Sequence, residues 1–148
     1  MASWQNSIIT LARGAGIQRE GKAGEAGIYP GHLLETSAAD TFLRLNNAAS
    51  VGAPILVAVE NMYLAPGTKD TVYAVNDNVY AVAVTNGMQF QARIAAAAVA
   101  IVIGDQLVSD GDGGLKKAGA AEEVIAEALE AVDNSGGGSS VLIEVRAR

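Results

Sequence analysis

Cysteine is absent from this chain of 148 residues, and histidine occurs once. Without a thiol the chain can form neither a disulfide nor a thiolate nucleophile, and cysteine usage leaves the redox compartment open. A zinc site would have to draw mainly on carboxylates, which is unusual for that metal. Aromatic residues are also scarce, at 5% of the sequence, and much of the apolar content is alanine and valine. Side chains this small fill only a thin core, so we expect the subunit to depend on partners.

Positive charge is in short supply as well. The chain has 10 lysines and arginines against 16 aspartates and glutamates, which gives a formal net charge of −6. The basic residues are scattered apart from the pair Lys116 and Lys117. Affinity for a phosphate backbone comes from cations that neutralise phosphates. We therefore expect no direct binding to nucleic acid.

Targeting and membrane signals are not found in the sequence. The first residues do not form a basic segment followed by an apolar stretch, so no signal peptide is predicted. The most apolar run, residues 92–104, is too short and too rich in alanine to cross a bilayer. We expect a protein of one domain that is made in the cytoplasm and has no membrane partner.

An N-terminal arm is predicted over residues 1–20, ahead of a single β-rich domain over residues 21–148. The arm carries four large apolar side chains, those of Trp4, Ile8, Ile9 and Leu11. It is either a frayed terminus or an extended segment that becomes ordered by adding a strand to a partner, and the sequence leaves both open. Residues 19–27 are charged and rich in glycine, which predicts a flexible connection.

Strand signals dominate the rest of the chain. Residues 71–84 are rich in β-branched and aromatic side chains and are divided by Asn76–Asn78, which predicts two strands and a tight turn. Asn86–Gly87 predicts a second hairpin, before an alternating run at 88–94. Residues 141–146 alternate between apolar and charged side chains and predict a half-buried final strand. Short strands with frequent turns predict an all-β fold, either a small barrel or a sandwich.

The chain also contains a weak internal repeat. Residues 31–35 resemble 104–108, residues 42–45 loosely match 114–117, and residues 55–60 match 124–130 with a slip of one residue. Taken alone, residues 121–132 have the composition of a helix. Their counterpart contains Val57 and Val59 and is typical of a strand. The repeat therefore favours a strand at 124–130, with a helical turn at 120–123.

Residues that could carry catalysis are few. His32 follows Pro30 and Gly31 in a predicted turn, and no Gly-x-Ser-x-Gly motif offers it a nucleophile. We expect His32 to be a turn or interface residue. Asp110–Gly114 superficially resembles a calcium loop but lacks the glutamate of such loops, and it predicts a tight turn. No metal site, no cofactor and no catalytic residue is predicted, which favours a structural protein over an enzyme.

The order of segments at the C-terminal end resembles a known family. Residues 103–118 (IGDQLVSDGDGGLKKA) are followed by an apolar segment ending at Asp133, a Gly/Ser loop and the strand at 141–145. This order resembles the lambda-like decoration, or cement, proteins of tailed-phage capsids, most clearly over residues 100–148. Residues 26–34 match the same turn pattern more faintly.

This resemblance implies a fold, a location and a partner. The fold would be a small β-barrel or β-tulip-like domain with an extended arm. The protein would sit as a homotrimer on the outer surface of an expanded icosahedral phage head, bridging subunits of the major capsid protein and stabilising the head of the virion. In relatives the N-terminal region contacts the shell, which would make Trp4, Ile8, Ile9 and Leu11 the capsid-binding residues.

Two other functions remain open from the sequence. A non-enzymatic binding module for glycans or a host surface would present clustered aromatic side chains. The tyrosines are instead spread along the chain, at Tyr29, Tyr63, Tyr73 and Tyr80. A metal-dependent enzyme would use Asp105, Asp110 and Asp112, and its activity would be lost in Asp112→Ala.

Overall fold

The computed structural model describes residues 16–37, 42–47, 49, 56–61 and 69–148. Within these residues the chain forms strands and turns and no helix, which confirms the predicted all-β class. The strands are β1 (Ile17–Ala23), β2 (Leu33–Thr36), β3 (Phe42–Leu45), β4 (Leu56–Ala58), β5 (Asn78–Ala83), β6 (Gln89–Ile94), β7 (Gln106–Ser109), β8 (Leu115–Lys117), β9 (Ala126–Ala128) and β10 (Val141–Ala147). No helix long and apolar enough to cross a membrane occurs in this part of the chain.

The strands close into two barrels of the same topology. The first barrel has the strand order β1-β3-β2-β4-β5, and the second has the order β6-β8-β7-β9-β10. In each barrel the first strand pairs parallel with the third and antiparallel with the fifth. In each, the second strand pairs antiparallel with the third and the fourth. The internal repeat is therefore confirmed as a duplicated five-stranded barrel.

The ambiguous segment near residue 124 is a strand, as the repeat predicted. β9 pairs antiparallel with both β7 and β10. Ala126 and Ala128 are fully buried, whereas Glu127 between them faces outward and binds the guanidinium groups of Arg146 and Arg148. This two-residue alternation overrides the helix propensity of the segment. The predicted helical turn at 120–123 is wrong, because residues 119–122 form an isolated turn.

Two of the predicted hairpins are also wrong. β5 pairs with β1 and β4, while β6 pairs with β8 and β10, so the Asn86–Gly87 turn links the two barrels instead of closing a hairpin. In the other case the turn at Asn76 exists, with φ of 69° at that residue. Tyr73, three residues before it, forms an isolated bridge to Ile28 rather than a strand against β5.

The predicted arm and its connection overlap the first strand. Residues 17–23 form β1, which pairs along its length with β5 from Ile17↔Ala83 to Lys22↔Asn78. The prediction of a flexible connection from residue 19 is therefore wrong for residues 19–23. The prediction failed because it relied on the glycine and charge content of the segment. This strand is largely exposed and has no alternation of apolar residues that would have marked it as a strand.

Small side chains make up about half of the interior of the barrels, since alanine and valine account for 13 of the 27 buried apolar residues in the described part of the chain. The inward residues of β5 include Val79 and Ala81, and those of β9 are Ala126 and Ala128. A barrel of five strands encloses less space than the eight-stranded barrels whose interiors side chains just fill. Close packing at crystal-like density then leaves room mainly for alanine and valine at many positions. The narrow barrel thus accounts for the alanines and valines at these buried positions.

Apolar packing also joins the barrels to each other. Along β2 and β4, Leu34 and Leu56 face the first barrel's core, whereas Leu33 and Val57 face the other way. Both of these outward residues are buried in the core cluster of the second barrel. The two strands are therefore covered on both faces, and the second barrel's core is completed by residues of the first.

Candidate interaction surfaces

The four residues predicted to bind a capsid lie outside the described part of the chain. Trp4, Ile8, Ile9 and Leu11 all precede residue 16, so their role stays a prediction. The described residues offer two related surfaces instead. One is the junction between the barrels, and the other is its counterpart on the second barrel.

The junction is built around the turn Tyr29–His32, here called the junction turn. Gly31 has φ of 89°, a left-handed conformation that glycine adopts without strain. The His32 amide donates to the Tyr29 carbonyl at 3.1 Å, and the Tyr29 amide donates to His32 Nδ1 at 3.2 Å. These two hydrogen bonds fix the turn that precedes β2. The structure therefore places His32 in a turn and at an interface, as expected from the sequence.

Arg93 of β6 holds the junction turn against the second barrel. Its amide donates to the Gly31 carbonyl at 3.0 Å, and its Nε donates to the Pro30 carbonyl at 2.8 Å. A further guanidinium nitrogen donates to the Lys69 carbonyl at 2.7 Å. The guanidinium also lies 4.9 Å from the ring centroid of Tyr29, within cation–π range. Arg93 is only 7% exposed, so its side chain has lost most of its contact with water. The hydrogen bonds to the junction turn and to Lys69 compensate for that loss.

The setting of His32 keeps it neutral. The residue is 8% exposed, and its ring meets that of Tyr29 edge to face. Burial, with the positive charge of Arg93 adding to it, lowers the pKa of His32 to about 4. At pH 7 the imidazole is therefore uncharged, and because Nδ1 accepts a hydrogen bond the proton lies on Nε2.

A second set of contacts closes the junction on the other side. The Leu33 amide donates to the Gly113 carbonyl at 2.7 Å, and the Gly113 amide donates to the Asn46 carbonyl at 3.0 Å. The hydroxyl of Ser109 donates to Oδ1 of Asn46 at 2.7 Å, and both side chains are buried. The loop between β7 and β8 is thus bonded directly to the first barrel.

This loop contains the sequence that resembled a calcium site. Oδ1 of Asp110 accepts hydrogen bonds from the amides of Asp112 and Gly114, at 2.8 and 3.0 Å. The carboxylate therefore stabilises a tight turn, which confirms the turn prediction. Among the residues that the structure describes, no three His, Cys, Asp or Glu side chains lie close enough to hold a metal ion.

The second barrel carries a counterpart of the junction turn at Val102–Asp105, here called the exposed turn. The Asp105 amide donates to the Val102 carbonyl at 3.1 Å, and the Val102 amide donates to Asp105 Oδ2 at 2.9 Å. Gly104 has φ of 89°, the same as Gly31. The amide of Val102 and then the ammonium of Lys117, 2.9 Å away, lower the pKa of Asp105. Both turns therefore have the same pattern: a left-handed glycine at the third position, a backbone hydrogen bond from the fourth residue to the first, and a side-chain acceptor on the fourth residue for the amide of the first.

The two turns differ in what covers them. A Cβ atom at Gly31 would come within 2.5 Å of Leu142, whereas one at Gly104 would meet nothing within 4 Å. Val102 and Ile103 are 57% and 69% exposed, and Val99 nearby in sequence is 70% exposed. The exposed turn is therefore an uncovered apolar surface, in the place where the first barrel has a covered one.

The lysine pair and the tyrosines are mostly occupied by internal contacts. Lys116 and Lys117 pair with Glu122 and Asp105 at 3.2 and 2.9 Å, while their side chains stay partly exposed. The Tyr73 hydroxyl donates to a backbone carbonyl at 2.6 Å, and burial raises its pKa to about 12. Tyr29 lies between His32 and Arg93, and Tyr63 is outside the described residues.

Sequence reasoning missed Arg93 and the barrel junction. Arg93 lies at an alternating run in which Phe90, Ala92 and Ile94 face the core, so it faces outward on its strand. An arginine on the outer face of a barrel strand is expected to be exposed to solvent. A single sequence does not reveal that a second barrel covers that face. The repeat was the signal that could have indicated it, because two equivalent halves must meet somewhere.

The fold defines a class, which is an all-β protein of two tandem five-stranded barrels with one topology. No protein-family model and no curated protein matches the chain. Among solved structures, the chain is similar to the head fiber gp8.5 N base of bacteriophage phi29, with a TM-score of 0.59 and 15% sequence identity. The match covers 90% of this chain and 95% of that one. At this identity the likeness concerns the fold alone, and membership of the lambda-like decoration family stays a prediction.

Proposed function

We propose that this protein is a structural, non-enzymatic component of a phage virion that binds the outer surface of the head. It acts as a homotrimer whose partner is the major capsid protein, and by bridging capsid subunits it stabilises the expanded head. It is made in the host cytoplasm and becomes part of the virion on the mature shell.

The observation that carries this proposal is the shared fold. The structure that this chain resembles over nearly its whole length is the base of a phage head fiber. The likeness extends over 90% of this chain and 95% of that one, so it concerns the whole arrangement of the chain and not one segment. The resemblance of residues 100–148 to capsid decoration proteins points independently to the same kind of location.

The chemistry of the described residues supports a structural role. His32 closes a turn with its Nδ1 and is kept neutral by burial. Asp110 caps the β7–β8 turn, and Asp105 binds Lys117. Three of the candidates for chemistry, His32, Asp105 and Asp110, are thus engaged in holding turns or in an ion pair.

The N-terminal arm supplies the anchoring mechanism. Trp4 and Ile8–Ile9 are large apolar side chains in a segment compatible with a β-strand. An arm that orders on the shell adds backbone hydrogen bonds and fills apolar pockets, as in other strand-addition complexes. Three arms per trimer then bind with higher avidity than any single arm.

The test is binding of the full chain to purified expanded heads that lack this protein, measured by co-sedimentation. We expect saturable binding. Light scattering of the free protein, before it is mixed with heads, should give about three times the chain mass of 15.1 kDa. The double variant Ile8→Asp/Ile9→Asp should lower head affinity at least tenfold and leave the trimer intact. Val75→Asp, an exposed valine outside the arm, is the matched control and should bind normally.

Failure of the wild-type chain to bind heads under these conditions would overturn the proposal. Saturable binding to a glycan array by the same preparation would instead support a host-surface binding module. Equal binding by the arm variant and the control would remove the arm from the mechanism while leaving head binding itself supported.

A further inference from the structure

The loop between β6 and β7 is apolar although much of it is exposed. Residues 95–104, here called the apolar loop, have the sequence AAAAVAIVIG and carry no charge. The corresponding loop of the first barrel, residues 24–28, contains Glu25. The large side chains of the apolar loop that are more than half exposed are those of Val99, Val102 and Ile103. An exposed apolar surface of this kind is typical of an interaction site.

The apolar loop also contains a strained alanine. Ala97 has φ of 55°, a left-handed conformation that is unfavourable for residues with a Cβ atom. In the loop of the first barrel the left-handed residue is Gly27, at φ of 85°, which avoids this strain. The Ala97 amide donates to the Gly137 carbonyl at 3.0 Å, so the neighbouring loop holds the conformation in place. Backbone strain and exposed apolar side chains therefore occur together here, as they do at binding sites.

The described chain begins near this loop. A Cβ atom at Gly16 would lie 3.3 Å from the Met88 side chain. The Met88 carbonyl accepts a hydrogen bond from the amide of Ala147 on β10, and β10 pairs with β9. The Ala128 carbonyl of β9 accepts a hydrogen bond from the amide of Gly104 in the apolar loop. Two strands thus lie between Gly16 and the apolar loop, a path of about 20 Å at ordinary strand spacing.

The N-terminal arm has the length and the chemistry to cover the apolar loop. Residues 9–16 span up to about 25 Å when extended, so Ile9 can reach it. Residues 1–12 carry no charged side chain, which matches the uncharged loop. Two groups joined by a short chain meet at an effective concentration in the millimolar range. A separate molecule at micromolar concentration would have to compete with this tethered segment.

We propose that the N-terminal arm of the free protein docks on the apolar loop of the same chain. Ile9 packs against Val102 and Ile103. Trp4, further along the arm, covers Val99. Apolar side chains on both surfaces lose their contact with water, and this burial provides the free energy of docking.

Docking gives the arm two alternative partners. In the proposed function the same arm binds the capsid, and the following consequence rests on that function. A docked arm has to leave the apolar loop before it can bind the shell, so the apparent affinity for heads is reduced to the fraction of arms that are free. The apolar loop therefore covers the arm until the protein binds a head.

Cross-linking within one chain tests the contact. The natural chain has no cysteine, so Ile9→Cys/Ile103→Cys introduces its only two thiols. The protein is treated with a short bismaleimide and then denatured. We expect most chains to carry an internal cross-link, seen by mass spectrometry as two joined peptides, and to keep the mass of one chain, 15.1 kDa.

The matched control is Ile9→Cys/Val75→Cys. Val75 is half exposed, and the next residue, Asn76, bonds through its amide to the carbonyl of Ala23 at the far end of β1. The length of β1 places Val75 about 25 Å from Gly16, a distance that the arm can also span. We expect little cross-link in this control, because reach alone does not produce the contact.

The fluorescence of Trp4, the only tryptophan of the chain, provides a second measurement on the free protein. We expect acrylamide to quench Trp4 less than it quenches a synthetic peptide of residues 1–15. Ile103→Asp should raise the quenching to the level of the peptide and shift the emission to longer wavelength, with unchanged circular dichroism. Val75→Asp should change neither.

Equal quenching of Trp4 in the natural chain and in Ile103→Asp would overturn the inference, whether Trp4 is accessible or shielded in both. A cross-linked product of twice the chain mass would place the arm on another copy and would overturn it as well. Neither measurement uses heads, so the proposed function is decided separately by co-sedimentation. Where the natural chain binds heads, Ile103→Asp should bind them more tightly, and an unchanged affinity would overturn the release step.

Discussion

His32 and Asp105 perform the same task in two barrels of the same topology, with different chemistry. His32 Nδ1 accepts a hydrogen bond from the amide three residues before it at 3.2 Å, and Asp105 Oδ2 accepts the corresponding bond at 2.9 Å. The buried turn uses the group that can be neutral, and the exposed turn uses the charged one. This follows from the cost of burying an unpaired carboxylate. In this chain, the neutral acceptor therefore lies in the covered turn and the charged acceptor in the exposed one.

The burial of His32 makes the stability of the protein depend on pH. The folded pKa of about 4 lies below the ordinary value of 6.5, so between these values the unfolded chain binds more protons than the folded chain. The contribution of His32 to the free energy of unfolding is fully present above pH 6.5 and is lost as the pH decreases toward 4. The loss amounts to about 3 kcal/mol. His32→Asn keeps an acceptor for the Tyr29 amide but does not titrate.

Urea unfolding of the two proteins at pH 7.5 and pH 4.5 measures this contribution. We expect the free energy of unfolding to drop further in the natural chain than in His32→Asn, because carboxylates titrate equally in both. Parallel pH profiles for the two proteins would show that the pKa of His32 does not change on folding and would contradict the account of the junction turn.

We expect a large loss of stability when Arg93 is replaced by the other long basic residue, lysine. Its guanidinium donates to the carbonyls of Pro30 and Lys69 in two directions, which a lysine ammonium on a flexible stem cannot reproduce. Arg93→Lys should lower the free energy of unfolding by about 2 kcal/mol, since buried carbonyls lose their donors. Arg44→Lys is the matched control. Arg44 pairs with Glu35 at 2.7 Å but is exposed, so its loss should stay below about 1 kcal/mol. Comparable losses in both variants would argue against a buried clamp.

Two glycines with positive φ should differ in their tolerance of alanine. Gly104 has φ of 89° and open space around it, so Gly104→Ala costs only the left-handed backbone strain, about 1 kcal/mol. Gly113 has φ of 76°, and a Cβ there would lie 2.7 Å from Leu45 and 3.1 Å from the carbonyl oxygen of Leu33. Gly113→Ala should therefore cost about 3 kcal/mol, because it also separates the barrels. Thermal unfolding of both variants gives the difference, and equal melting temperatures would contradict it.

Local patterns in the sequence predicted the fold class, the closing strand and, through the repeat, the strand at β9. They predicted pairings less well, because a turn signal such as Asn86–Gly87 specifies a reversal of the chain and not which strands meet across it. β1 was missed for a related reason. Its residues are exposed on both faces, so no alternation marks them. Of the candidate site, the turn at His32 was predictable, whereas Arg93 acquires its role only from the second barrel.

The narrow interior of the barrels predicts that adding volume is harmful. Ala81 is 1% exposed in the core of the first barrel, with Ala58 opposite it on β4. A leucine there would have to displace neighbouring strands, at a cost of about 2 to 3 kcal/mol in the free energy of unfolding. Ala121→Leu adds the same volume at an exposed position in the turn after β8 and should change stability by less than about 0.5 kcal/mol. Chemical denaturation compares them, and a neutral or stabilising Ala81→Leu would show that barrel size does not explain the small buried side chains. A loss confined to Ala81→Leu would instead tie the alanines of the buried core to barrels of five strands.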